Sequence, residues 1–103
     1  MATQGNVTLG LFVRLVAKEG KEGAVEEFLR SGLALAQAEA GTLQWYAVRF
    51  DRRTFAIFDT FASEDGRKAH LSGPIAAALM AKAAELLAEP PRIENHDVLA
   101  AKV

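Results

Sequence analysis

The chain has 103 residues, of which 50% are hydrophobic and 24% charged, and its formal net charge is −1. This balance argues against a nucleic-acid or anionic-membrane partner, and the absence of cysteine excludes disulfides and thiolate metal sites. Because the first residues lack a secretory pattern and no apolar run is long enough to span a bilayer, we expect a cytoplasmic protein.

We expect one domain over residues 1–103, in which residues 1–8 form a polar N-terminal leader. The first strand is predicted at 9–18. Side chains alternate along a strand, so its apolar residues divide between two faces. Leu11, Val13 and Leu15 point to one face, and Phe12 and Val16 to the other.

A glycine-containing turn at 19–23 leads into a predicted helix whose apolar residues recur at the spacing of one helical face. These residues are Val25, Phe28, Leu29, Gly32, Leu33 and Ala36. Gly41 is expected to end the segment as a C′ residue with positive φ, which glycine adopts without steric cost.

Two further strands are predicted at 43–50 and 55–61, joined by a polar hairpin turn at 51–53. Both have apolar residues on both faces. Trp45 and Tyr46 are adjacent, so we expect them on opposite faces of the sheet, which leaves open which one contacts a ligand.

Ser63 is positioned to cap a short helix, which the Ser72-Gly73-Pro74 segment interrupts. Pro74 suits the first position of a new helix, expected to end near Ala88. A last strand is predicted over 93–103.

The order β-α-β-β-α-β is that of a ferredoxin-like α+β fold with a four-stranded antiparallel sheet. In this fold the helices cover one face of the sheet. The other face is here apolar as well, so a second copy of the chain is the economical cover. We therefore predict a homodimer through the open sheet face.

Several segments resemble the antibiotic biosynthesis monooxygenase domain: 39–43, the aromatic strand after it, Asp59-x-Phe61, and the run from 69 to 74. The resemblance extends over about residues 11–102. It implies a dimeric α+β barrel and oxidation of quinol-like or polycyclic aromatic molecules by oxygen without a metal, flavin or other cofactor. Haem degradation, known in another branch, is disfavoured because apolar Leu79 stands where that branch has its axial histidine.

His70 is the candidate catalytic base, since imidazole titrates near neutral pH; the alternative is a helical histidine that caps carbonyl groups. We expect it to overhang the open face. Trp45 is a candidate for stacking on a flat ring and Tyr46 for orienting a phenolate, or both are packing residues. Phe58 and Phe61 are expected to pack, with pocket lining as a second role.

Arg14 and Arg49 lie within apolar strands, where an unpaired charge is costly. Each is a candidate for binding a substrate phenolate or carboxylate. Pairing with Asp59 or with the partner subunit is the favoured alternative.

His96 lies in a polar patch that is typical of an edge strand, and no pattern in the chain indicates a metal site.

These observations predict a cofactor-independent monooxygenase that acts on a quinol-like or polycyclic aromatic small molecule. The main alternative is a non-enzymatic dimer that binds a small hydrophobic ligand. An isomerase or decarboxylase is a third reading, because one fold supports several chemistries.

Overall fold

The chain forms four strands and three helices in a computed structural model that describes residues 7–103. The elements are β1 (Leu9–Val16), α1 (Glu22–Gln37), β2 (Thr42–Arg49), β3 (Thr54–Phe61), α2 (Glu64–Leu71), α3 (Pro74–Leu86) and β4 (Arg92–Asp97). Most of the predicted leader lies outside the described residues, but Val7, which belongs to it, is buried.

The four strands form one sheet in the order β2-β3-β1-β4, with every neighbouring pair antiparallel. This is the predicted ferredoxin-like arrangement. The core lies between one face of the sheet and the helices. It includes Leu15 of β1, Leu29 of α1, Phe55 of β3 and Leu86 of α3. None of the helices described in residues 7–103 is long and apolar enough to cross a membrane.

The two faces of the sheet differ in what covers them. The helix face carries the side chains that turn towards α1, α2 and α3; these are Leu11, Val13, Leu15, Trp45, Ala47, Arg49, Phe55, Ile57, Asp59 and Phe61. The open face carries the alternating residues; these are Phe12, Arg14, Tyr46, Val48, Ala56, Phe58, Thr60, Glu94 and His96. No helix in the described chain covers the open face.

The cap of α2 and the break between α2 and α3 lie where the sequence predicted them. Ser63 caps α2, since its hydroxyl accepts a hydrogen bond from the Gly66 N–H at 3.1 Å. Gly73 and Pro74 then separate α2 from α3, with Pro74 at the start of α3.

Two predicted boundaries are wrong. The last strand ends at Asp97 rather than extending over residues 93–103. Asp97 pairs with Leu9, the first residue of β1, and beyond that pair the Val98 N–H donates to the Thr8 carbonyl at 2.9 Å. Helix α3 ends at Leu86 instead of Ala88. Leu87 is already extended and forms a bridge with Ala17.

The predicted role of Gly41 is also wrong. Helix α1 ends at Gln37 with Ala38 in a right-handed conformation, and Gly20, at φ +88°, is the glycine with positive φ among the described residues. Leu33, which was assigned to the apolar face of this helix, is 48% exposed.

Candidate functional site

A histidine lies between two carboxylates in the space between the helix face and α2. His70 Nδ1 is 2.7 Å from Glu39 Oε1, and Nε2 is 2.9 Å from Asp59 Oδ2. Asp59 is fully buried and His70 is 6% exposed. We call Glu39, Asp59 and His70 the buried charge cluster.

The geometry of the cluster favours a cationic histidine. A ring nitrogen lone pair directed at an ionised carboxylate would be repelled, so with both carboxylates ionised both nitrogens carry a proton. Burial, the largest single influence, lowers the pKa of His70, but the carboxylates of Asp59 and Glu39 together outweigh it and raise this pKa above its ordinary value.

The two carboxylates are incompletely satisfied. In the described chain, Glu39 Oε2 is buried without a hydrogen-bond partner. Asp59 Oδ2 has only the 2.9 Å contact with His70 Nε2, and Asp59 Oδ1 has no hydrogen-bond partner among the described residues. Buried acceptors are normally paired, and groups left open in this way cluster at functional sites.

Three different elements supply the cluster. Glu39 lies in the link between α1 and β2, Asp59 on β3 and His70 on α2. The link can reach α2 because Gly41 contacts Gly66: a Cβ atom at Gly41 would lie 2.9 Å from the Gly66 Cα. This close approach, rather than a positive φ, explains the glycine at position 41.

A bulge in β2 places further residues beside the cluster. Thr42 pairs with Phe61 and Gln44 with Thr60, so Leu43 is an extra residue between them. As a result Thr42 and Trp45, three positions apart, both lie on the helix face. The Thr42 hydroxyl donates a 2.7 Å hydrogen bond to Glu39 Oε1, and Trp45 pairs in register with Asp59.

Trp45 and Thr42 also line a groove of about 250 Å³ between the end of α1 and the edge strand β2. Its remaining walls are Leu33, Ala36, Gln37, Leu43 and Gln44. The groove therefore has a mixed lining, in which polar groups of Gln37, Thr42 and Gln44 lie beside apolar side chains. We call it the Trp45 groove.

The predicted site residues do not form one site. Trp45, Arg49, Phe61 and His70 lie on the helix side, while Tyr46, Phe58 and Arg14 lie on the open face. Trp45 and Tyr46 are on opposite faces, as expected. His70 is not over the open face: it is buried under α2, and its ring lies 5.4 Å from the Phe61 ring. Their roles with a ligand stay predictions.

The open-face residues form an aromatic array. Phe58 stacks between Tyr46 and His96, at ring separations of 6.2 and 5.6 Å. The Arg14 guanidinium lies 5.0 Å from the centre of the Phe50 ring. Cations over aromatic faces are stabilised by the ring quadrupole.

Neither arginine pairs with Asp59, so that part of the favoured alternative is wrong; pairing with the partner subunit stays a prediction. Asp59 is on the opposite face from Arg14. Arg49 forms a 2.8 Å ion pair with Glu26. Hydrogen bonds from Arg49 and from Arg30 lower the pKa of Glu26. This pair borders a second groove, of about 170 Å³, further along the seam between α1 and β2.

Sequence reasoning missed Glu39 and Thr42 as candidate site residues. Both belong to the segment 39–43 that carries the family resemblance, and that was the available signal. A role for either residue depends on the Gly41–Gly66 contact and on the bulge at Leu43, neither of which alternation along a strand reveals.

The chain is similar to several solved structures. A protein of unknown function from Nitrosomonas europaea is 56% identical over 96% of both chains, with a TM-score of 0.94. A Pseudomonas aeruginosa protein is 25% identical over 91% of this chain and 96% of that one, with a TM-score of 0.79.

A second Nitrosomonas europaea protein, with the provisional name antibiotic biosynthesis monooxygenase, is 18% identical over 88% of this chain and 98% of that one. Its TM-score of 0.80 shows a shared fold. No protein-family model and no curated protein matches the chain.

Proposed function

We infer the function from the fold and from the candidate site. The chain belongs to the same family as the Nitrosomonas europaea protein of unknown function, and it has the fold of the antibiotic biosynthesis monooxygenases. We propose that it is a cofactor-independent monooxygenase that oxidises a quinol-like or polycyclic aromatic small molecule with molecular oxygen. The substrate binds in the Trp45 groove.

One observation carries the proposal: the buried charge cluster lies beside the Trp45 groove. Ionised groups are costly to bury, and a buried histidine with a raised pKa next to a groove is a typical active-site arrangement. Thr42 and Trp45 belong to both regions, since they line the groove and neighbour Glu39 and Asp59.

The reaction asks little of the protein. It must remove a proton from an electron-rich ring, hold the resulting anion and keep water away. The anion passes one electron to oxygen, and the two radicals combine at a ring carbon as a peroxide anion. The proton removed in the first step returns to give the hydroperoxide. Loss of water leaves a carbonyl group, so one oxygen atom enters the product and the other leaves as water.

Trp45 is suited to hold the ring in this scheme. Its indole borders the groove, and its Nε1–H is buried without a hydrogen-bond partner in the described chain. The ring can stack on a flat substrate that lies in the groove.

We also propose that the protein is a homodimer, in which the open faces of two chains are in contact. Tyr46, Val48 and Phe50 are exposed there as large apolar residues. Together with Phe12 and Phe58 they form a continuous aromatic patch, which a single chain of this fold cannot cover. A second sheet packed face to face covers it by two-fold symmetry.

Oxygen uptake tests the enzymatic proposal. We expect the protein to consume oxygen with a dihydroxynaphthalene or an anthrone. The Trp45→Leu variant is expected to lower kcat/KM about tenfold through lost stacking, and Trp45→Phe to retain most of it. A panel of such compounds with no oxygen consumption above that of the compounds alone would contradict the proposal.

A second candidate is the non-enzymatic dimer that binds a hydrophobic ligand. The observation that favours it is His70, whose two ring nitrogens are both engaged by carboxylates, so the expected base has no free lone pair. Aromatic ligands that raise the melting temperature without any oxygen consumption would select this candidate over the enzyme.

A further inference from the structure

The Thr42 hydroxyl connects the Trp45 groove with the buried charge cluster. Thr42 lines the groove, and its Oγ1 donates to Glu39 Oε1 at 2.7 Å. A hydroxyl that donates to one acceptor can accept from another donor at the same time. A phenol in the groove can therefore donate to Thr42 while Thr42 donates to Glu39.

The proton acceptor at the end of this connection is Glu39. His70 has no free nitrogen, because Glu39 and Asp59 engage both of its ring positions. Asp59 keeps a free acceptor oxygen, Oδ1, but it does not line the groove. Glu39 also keeps one free oxygen, Oε2, which lies against Gly73: a Cβ atom at Gly73 would be 3.2 Å from it.

The net charge of the cluster makes it a proton acceptor. With both carboxylates ionised and His70 cationic, the cluster carries one net negative charge in a buried site. Burial of a net charge is unfavourable. One added proton on Glu39 leaves the His70–Asp59 ion pair and a neutral acid, and so removes the net charge.

We propose that Thr42 relays the phenolic proton of a quinol-like ligand in the Trp45 groove to Glu39. The ligand O–H bond breaks as its proton passes to Thr42 Oγ1, and the proton of Thr42 passes to Glu39 Oε1. The ligand becomes an anion and Glu39 a neutral acid. His70 and Asp59 position Glu39 and do not exchange the proton. The proposal rests on the proposed function for the identity of the ligand, but proton transfer itself needs no oxygen.

A chromophoric phenol tests the relay without turnover. We expect a nitronaphthol to bind the protein and to ionise at a pH at which the free compound is neutral, seen as the absorbance of its anion. After rapid mixing we expect the anion to form at least about tenfold more slowly in Thr42→Val, and as fast in Thr42→Ser as in the unchanged protein. Equal rates of ionisation in Thr42→Val and the unchanged protein, or no binding to the unchanged protein, would overturn the relay.

The Glu39→Gln variant separates proton acceptance from a structural role. We expect the bound compound to require a higher pH to ionise, while its dissociation constant at low pH, where it is neutral, is unchanged. With an oxidisable quinol, Thr42→Val lowers the rate of oxygen uptake about 100-fold.

The two proposals can fail separately. Ionisation of the nitronaphthol without oxygen uptake from any quinol supports the relay and refutes the monooxygenase. Oxygen uptake that is equally fast in Thr42→Val refutes the relay and supports the monooxygenase.

Discussion

The two faces of the sheet differ in which groups they bury and which they expose. The helix face is covered by helices and nevertheless buries an ionised cluster, in which Asp59 is completely inaccessible. The open face lacks a cover in the single chain and yet is largely aromatic, with Phe50 55% exposed. One face contains charge where apolar groups are expected, and the other contains apolar groups where polar ones are expected.

This contrast suggests different roles for the two faces, proton transfer for one and dimer formation for the other. A buried charge that costs stability is retained where it does something, so the helix face is the better location for proton transfer. An exposed aromatic surface is retained where a partner covers it, so the open face is the better location for the dimer contact. Sequence reasoning combined the two, because it assigned residues of both faces to one site.

The largest expected effect is on the buried cluster. In His70→Gln, Asp59 and Glu39 lose the cation that they share while they remain close together, so we expect the free energy of unfolding to fall by about 3 to 5 kcal/mol. Denaturant unfolding at fixed protein concentration measures this. Arg52→Gln breaks the exposed Arg52–Glu22 ion pair and serves as the control, with an expected loss below about 1 kcal/mol. Equal losses in the two variants would contradict a special role for the cluster.

The next effect concerns the open face. In Phe50→Gln we expect the dimer to weaken about 1000-fold, because a central aromatic contact of about 2 kcal/mol is lost twice in a two-fold interface. Sedimentation equilibrium measures the dissociation constant. Met80→Gln is the matched control, since Met80 is 59% exposed on α3, away from the sheet. If the unchanged protein is monomeric, or if both variants dissociate alike, the open face is not the dimer contact.

A smaller effect tests how Glu39 reaches the cluster. A Cβ atom at Gly66 would lie 2.9 Å from the Gly41 carbonyl oxygen, so Gly66→Ala forces the α1–β2 link away from α2. We expect a loss of about 1 to 3 kcal/mol in the free energy of unfolding. Gly23→Ala, which meets no atom within 4 Å in α1, is expected to gain up to about 1 kcal/mol. A gain in both variants would show that the close contact is unimportant.

The smallest expected effect is the dependence of the free energy of unfolding on pH. The pKa of His70 is raised in the folded chain, so its protonation stabilises the fold. This contribution is complete below the ordinary value of 6.5 and is lost as the pH rises through the raised value. Unfolding free energies measured across this range should decline in the unchanged protein and less so in His70→Gln. A rise with pH that His70→Gln abolishes would reverse the assignment.

Local sequence patterns predicted the architecture well. The alternation of apolar residues in β1 and β3, the Ser63 cap and the break before Pro74 were all confirmed, because each depends on neighbours in the chain. The opposite placement of Trp45 and Tyr46 was confirmed for the same reason. The end of β4 was not predictable from its own residues, since it depends on where β1 begins.

The candidate site depended on contacts between distant elements. His70 was selected from the sequence for its titration, but its two counter-charges lie 31 and 11 positions away, on other elements. Glu39 and Thr42 became candidates only through the bulge at Leu43 and the contact of Gly41 with Gly66. A single sequence does not show which of its charged residues meet.

The protonation state of His70 tests the account most directly. Nitrogen NMR of the imidazole rings reports whether each ring nitrogen carries a proton. His96, on the open face, is a second histidine in the same molecule and serves for comparison. The buried charge cluster predicts that His70 is still doubly protonated at a pH at which a histidine with the ordinary pKa is neutral. A neutral His70 at pH 7, with one nitrogen unprotonated, would contradict it.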